Sequence, residues 1–312
     1  MSSRLTPAMR ELLVRMGRRR GPVLHELSPT EARQAYAGMA EVLDLPRAPL
    51  ARVEDFRVPC GDHDCHARLF APSHTVLPVL LYLHGGGFVI GSSDTHDSLC
   101  RQLALRAGVA VLSLDYRLAP EHRFPAALED VWATLDWLID AGGADALGLD
   151  PARVAIGGDS AGATLSAATA LWARDHHLPL AAQLLITPGT TAHADTDSHH
   201  RFSRGFLIER ELILWFFDQY IDRSLRHDWR FAPLEADSVD GVAPACFVLA
   251  ECDPLVDEGL AYADRLRMAR VSVELELFRG VTHDFIKLGR AIPEAEAALE
   301  ACGRFLHQQL GP

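Results

Sequence analysis

Ser160 stands in Gly158-Asp159-Ser160-Ala161-Gly162, after the apolar stretch Val154-Ala155-Ile156 and before a run of small residues at 161–168. A serine at a sharp turn from strand to helix is exposed beside the positive end of that helix, where its hydroxyl can act as a nucleophile. Gly158 and Gly162 are expected to supply the positive φ and close backbone approach that such a turn demands. A nucleophilic serine also needs a base, a group that orients the base, and N–H donors for an oxyanion.

Where this turn serves catalysis, the chain order is serine, acid, histidine. The order is informative because fifteen histidines make any single one unremarkable in itself. Past the last apolar stretches only His283 and His307 qualify. His307 falls near the end of a terminal helical segment. His283 lies in Gly280-Val281-Thr282-His283-Asp284-Phe285, a loop directly after a predicted strand, and is the candidate base. The acid is expected in Glu251-Cys252-Asp253-Pro254-Leu255-Val256-Asp257. Asp253 is the best placed, because Pro254 is expected to begin a helix and leave Asp253 at its N-cap. Asp257 would point along that helix, and Glu251 is the minor alternative. For the oxyanion, His84-Gly85-Gly86-Gly87-Phe88 follows an apolar strand. The candidate donors are the backbone N–H groups of Gly85, Gly86, Gly87 and Ala161. His84 precedes Ser160 and is read as a partner that fixes the glycine loop, not as the base.

The elements that must position these residues follow from the hydrophobic rhythm. Residues 53–58 and 67–70 alternate and predict an antiparallel hairpin. Residues 79–83, 109–114, 154–156, 184–186, 246–249 and 271–275 are short and nearly all apolar, with helical stretches between most of them. Continuous apolar strands alternating with helices predict an α/β fold whose mostly parallel sheet is covered on both faces. Residues 1–50 read as two helices, the first capped by Thr6-Pro7. The second starts with the capping box Ser28-Pro29-Thr30-Glu31 and offers Ala35, Met39 and Leu43 on one face. Residues 188–243 interrupt the alternation, with helix at about 200–225. The apolar run at 208–221 predicts a lid that closes with the N-terminal helices over the sheet. The expected organisation is thus cap helices at 1–50, core at 51–187, a cap insertion at 188–243, and core again at 244–312.

Composition narrows the function classes. The 312 residues are 48% hydrophobic and carry a net charge of −12. The one basic block, Arg18-Arg19-Arg20, is too short to track phosphates, so nucleic-acid binding is not expected. No apolar segment is long enough to span a bilayer, and the N-terminus lacks the apolar core of a secretory signal, which makes a cytoplasmic location the expectation. Six scattered cysteines therefore read as reduced thiols. Cys60-Gly61-Asp62-His63-Asp64-Cys65-His66 gathers soft ligands. It reads first as a hairpin tip, because no second ligand pair of zinc-finger spacing follows.

With these pieces assembled, the chain resembles the bacterial hormone-sensitive-lipase-like esterases, the family IV carboxylesterases. The resemblance rests on His84-Gly85-Gly86-Gly87-Phe88, on Asp115-Tyr116-Arg117-Leu118-Ala119-Pro120-Glu121 followed by Phe124-Pro125-Ala126-Ala127, and on Gly158-Asp159-Ser160-Ala161-Gly162. Asp253-Pro254-Leu255 and His283 with Phe285 complete it. It implies an α/β-hydrolase fold with a helical cap and hydrolysis of short- to medium-chain carboxylic esters without metal or organic cofactor. It also implies membership of the subgroup with aspartate before the nucleophile, and a homodimer as found in many relatives. A lipase, an amidase with the same catalytic set, and a non-catalytic receptor on this scaffold are the competing readings; an intact His283 speaks against the receptor. Three positions depart from the family pattern: Asp284 where glycine is usual, Val256 where arginine is frequent, and Ala163 where glycine is frequent.

Overall fold

The computed structural model describes residues 4–18, 21 and 23–311; Arg19 and Arg20 of the basic run lie outside the described residues. Among these residues eight strands form one sheet: β1 (Arg52–Pro59), β2 (Asp64–Ala71), β3 (Leu77–Leu83), β4 (Ala110–Asp115), β5 (Leu149–Asp159), β6 (Ala182–Ile186), β7 (Ala245–Ala250) and β8 (Val273–Phe278). Their spatial order is β1-β2-β4-β3-β5-β6-β7-β8. The hairpin β1–β2 is antiparallel, β2 meets β4 antiparallel, and every later pairing is parallel. Among the described residues ten α-helices accompany the strands: α1 (Pro7–Arg18), α2 (Pro29–Met39), α3 (Asp97–Ala107), α4 (Ala126–Ile139), α5 (Gly143–Leu147), α6 (Ala161–Asp175), α7 (Asp197–Arg201), α8 (Arg210–Tyr220), α9 (Val256–Met268) and α10 (Pro293–Leu310).

The apolar strands are explained by what covers them. Every residue of β3 is buried, and its side chains alternate between two layers. Leu80 and Tyr82 pack in one layer with Leu103 of α3 and Phe305 of α10. Val79, Leu81 and Leu83 pack in the other with Leu135 of α4 and Leu165 of α6. A strand buried on both faces has no polar side to show, so its sequence does not alternate. The chain leaves β3 toward β4 and returns on the other side to β5. The carboxyl ends of β3 and β5 therefore form the crevice where open α/β sheets bind ligands.

Several local expectations need correction. The Ser28 capping box forms as predicted, with Ser28 N–H donating to Glu31 at 3.0 Å. The helix it starts buries Ala32, however, while Met39 is exposed and Leu43 lies beyond the helix end. There the chain turns away, and Leu43 O accepts from Arg290 N at 2.9 Å. Strand β8 begins at Val273 rather than 271, because Val271 N–H donates back to Leu266 O and closes the end of α9. Cys60 and Cys65, expected as free thiols, are joined by a disulfide; the hairpin tip brings their Cα atoms to 5.9 Å. Cys100, Cys246, Cys252 and Cys302 are free and buried.

Candidate active site

Ser160 lies between β5 and α6 with φ 52° and ψ −119°. A non-glycine residue in this region stores on the order of 1–3 kcal/mol of strain, which the surrounding packing must offset. The positive φ is the serine's own, not that of its flanking glycines. Gly158 and Gly162 serve close approach instead. A Cβ on Gly158 would strike Leu83 O and the backbone of Gly162, and one on Gly162 would strike Leu83 O and His84 O. Bare backbone here lets α6 start against the end of β3.

The predicted base and acid converge on this serine across 123 and then 30 residues of sequence. His283 Nε2 lies 2.9 Å from Ser160 Oγ, and His283 Nδ1 lies 2.8 Å from Asp253 Oδ2. All three side chains are buried. Asp253 sits in the turn before α9, which begins two residues later than Pro254, and its Oδ1 accepts from Leu255 N at 2.9 Å. The rejected carboxylates are spent elsewhere. Glu251 accepts from Gly280 N at 2.9 Å and so ties the acid loop to the histidine loop. Asp257 accepts from Ser198 N at 2.7 Å. His307 Nδ1 donates to Ala107 O, on the α3–α10 side of the sheet.

The glycine loop is held by a residue that sequence reading passed over. Asp159 is wholly buried and accepts from Tyr82 Oη at 2.5 Å, from Gly85 N at 3.1 Å and from His96 Nε2 at 3.2 Å. Burial by itself would raise this carboxyl, but the facing His96, the Lys287 charge and the Tyr82 hydroxyl hold it well below the usual range. Gly85 N–H is thereby committed to Asp159. The amides of Gly86, Gly87 and Ala161 have no protein acceptor among the described residues. His84 fixes the loop as expected: its Nδ1 donates to Gly85 O at 2.8 Å, and its ring stacks on Tyr116. Burial lowers His84 to about 4, so it stays neutral.

A cavity of about 250 Å³ opens above Ser160 and His283. Leu207, Ile208, Leu212 and Phe216 line it from the insertion at 188–243, and Leu24, Tyr36 and Asp44 from the N-terminal 50 residues. Its polar side carries Asp284 and Lys287. Lys287 Nζ donates to Thr95 O at 2.8 Å and to Tyr36 Oη at 3.3 Å. Asp284 adopts the left-handed φ of 54°, a backbone conformation in which glycine is unstrained and aspartate is tolerated. Its Oδ1 faces His283 Nε2 at 3.7 Å. Burial alone would lower the His283 imidazole; the Asp253 carboxylate, then Asp284, outweigh it and raise His283 to about 9.

A family model described as the alpha/beta hydrolase fold matches residues 80–287, a stretch that runs from the middle of β3 past His283. The chain belongs to the α/β-hydrolase family. Among solved structures, this α/β hydrolase is similar to an α/β-hydrolase enzyme from the metagenome of Lake Arreo, with a TM-score of 0.95 and 34% identity over the full length of both chains. It is likewise similar to a thermostable esterase from Pseudomonas putida, with a TM-score of 0.93, 30% identity, and 100% and 99% of the two chains covered. Among curated proteins it is 39% identical over 308 residues to an ethyl acetate hydrolase of Pseudomonas putida, covering 96% of each chain. It is 42% identical over 245 residues to a carboxylic ester hydrolase of Mycobacterium tuberculosis, covering 76% of this chain and 65% of that one. With these relatives it is a carboxylic ester hydrolase. No helix among the described residues is long and apolar enough to cross a membrane.

Proposed function

We propose that this α/β hydrolase cleaves short-chain carboxylic esters through an acyl-enzyme on Ser160. The observation that carries the reading is the line Ser160 Oγ, His283, Asp253, with contacts of 2.9 and 2.8 Å at the floor of the cavity. Ser160 Oγ attacks the ester carbonyl as His283 Nε2 accepts its proton, and Asp253 stabilises the imidazolium formed. The oxyanion is received by N–H groups of Gly86, Gly87 and Ala161. Gly85 is left out because its amide already serves Asp159. Each such donor contributes roughly 2.7–4 kcal/mol to the transition state. His283 then protonates the leaving alcohol, and water repeats the cycle against the acyl group.

The small cavity supports acetyl to butyryl esters over long lipid chains, since its volume of about 250 Å³ falls just below the roughly 300–1,000 Å³ usual for ligand pockets. Its lining supports a cap built from residues 1–50 and 188–243, which together roof the site. The buried, fully bonded Asp159 supports the subgroup defined by aspartate before the nucleophile. The cytoplasm is the setting this reading takes. The proposed homodimer has support in the free edge of β8 and is checked by sedimentation velocity.

The test is a series of p-nitrophenyl esters from acetyl to palmitoyl. We expect kcat/KM to peak at four carbons or fewer, about a length the cavity holds. A maximum at long chains would overturn the short-chain assignment. A folded Ser160→Ala protein should lose hydrolysis at every length.

A further inference from the structure

The tip of the β1–β2 hairpin has no part in ester hydrolysis, yet it gathers four metal-ligating side chains. Cys60 and Cys65 are buried at its base, His63 folds back between them, and Asp130 of α4 reaches them from 65 residues beyond Cys65. One ligand atom from each lies within 4.8 Å of all the others. His63 Nε2 is 3.7 Å from Cys65 Sγ and 3.1 Å from Asp130 Oδ1. Tetrahedral zinc with sulfur and nitrogen ligands has ligand-to-ligand edges of roughly 3.4–3.8 Å. His63 Nδ1 is turned to Asp62 Oδ1 at 3.2 Å, the outer-shell carboxylate that orients most metal-bound imidazoles.

In the structure Cys60 and Cys65 share a disulfide. A disulfide needs neither a histidine nor a buried carboxylate beside it. Two thiolates leave a tetrahedral zinc two ligands short, and a histidine and a carboxylate can fill those positions. Asp130 is wholly buried, and Arg117 binds it through its backbone N–H at 2.8 Å and its guanidinium at 2.8 Å. Two thiolates, one carboxylate and one guanidinium sum to a charge of −2, which one divalent cation neutralises.

We propose that Cys60, His63, Cys65 and Asp130 form a structural zinc site that opens when the disulfide is reduced. Two equivalents of a cellular thiol supply two electrons and two protons, the S–S bond breaks to two thiols, and the two reductant molecules leave joined as their own disulfide. Zinc then binds both sulfurs as thiolates and releases those two protons. In a compartment that keeps thiols reduced, the zinc form is the resident one. Sequence reading favoured a plain hairpin tip because no further ligand pair followed. The missing ligand is one residue, Asp130, which only the fold brings into place.

The full chain is reduced with a phosphine, freed of reductant without air, and titrated with zinc chloride and, separately, cobalt chloride. We expect one zinc per chain, and with cobalt the thiolate charge-transfer band and intense visible bands of a tetrahedral site. The oxidised chain should take up neither. Cys65→Ser and His63→Ala should each weaken zinc by more than the roughly 10–100-fold that loss of an outer-shell partner costs. Both positions lie on the hairpin tip, and far-UV circular dichroism confirms that each variant is folded. Failure of the reduced, folded chain to retain zinc overturns the proposal. So does equal zinc uptake by the oxidised chain or by His63→Ala.

Discussion

His283 with Asp253 and His96 with Asp159 are two wholly buried histidine–aspartate pairs around one serine, made of the same groups at 2.8 and 3.2 Å. They differ in what the second ring nitrogen meets. In the first pair it meets Ser160 Oγ under a cavity that admits a substrate. In the second it meets Thr95 Oγ1 at 2.9 Å inside the core, and the aspartate holds the glycine loop. The first pair keeps one ring nitrogen facing Ser160 and the cavity, while the second spends its bonds on holding the glycine loop. A histidine–aspartate pair is therefore no catalytic signature until its outward nitrogen is placed.

The largest expected effect separates the two. His283→Gln should lower kcat on a p-nitrophenyl ester by roughly 10⁴-fold or more, as loss of a base in such a set does, with the melting temperature nearly unchanged. His96→Gln should do the reverse. It removes a bond to a buried carboxylate, which costs about 1–3 kcal/mol of stability, and displaces the glycine loop for at most about a 10²-fold loss of kcat. Rate and thermal unfolding measured together decide the point. Equal kcat losses in the two variants would erase the distinction between a base and a scaffold.

The juxtaposition of His283 with Asp253 was legible in the sequence and that of His96 with Asp159 was not, for a physical reason. Ser160, Asp253 and His283 follow the chain order of the α/β-hydrolase fold, and each stands after a strand that periodicity reveals. Asp159 carries no such mark. Its partners Tyr82, Gly85 and His96 lie 63 to 77 residues away and are brought to it by the β3–β5 pairing. The parallel sheet was legible because burial on both faces leaves runs such as Leu80-Leu81. The ends of elements were less so: α2 stops at Met39 because Leu43 is drawn toward Arg290, a tertiary bond with no local trace. Asp253 faces His283 Nδ1 at 2.8 Å although the helix after it starts later than its proline implied.

The pH dependence sharpens the comparison from the side of charge. As the proposed base, His283 must be neutral to accept the serine proton, and the Asp253 and Asp284 carboxylates raise it to about 9. Hydrolysis should therefore fall as pH drops below that value and approach its plateau only above it. Asp284→Gly suits the left-handed backbone there and removes one of the charges that favour the imidazolium. The acid limb of kcat/KM should shift to lower pH, raising the rate near neutrality. A limb that stays in place would show that Asp253 alone sets the base.

The smallest effect concerns a third buried pair, which takes the opposite protonation. Behind the acid loop, Glu258 Oε1 faces His199 Nε2 at 3.4 Å, while Oε2 accepts from Thr191 N at 2.8 Å. Burial raises Glu258 from its ordinary 4.5 to about 8 and lowers His199 to about 4, so at neutral pH the pair is a carboxylic acid beside a neutral imidazole. Among the interactions that shift Glu258 there is no cation to hold the carboxylate charged, as Lys287 does at Asp159. Between pH 4.5 and 8 the folded chain holds a proton on Glu258 that the unfolded chain has released. Its contribution to stability is complete below that window and is lost as pH rises through about 8. Glu258→Gln keeps the shape and the acceptor without the titration. In denaturant melts it should leave stability near pH 5 almost unchanged and flatten the decline toward pH 9. An undiminished decline in that variant would mean that Glu258 is charged at neutral pH, like Asp159, and that burial alone does not separate the two kinds of pair.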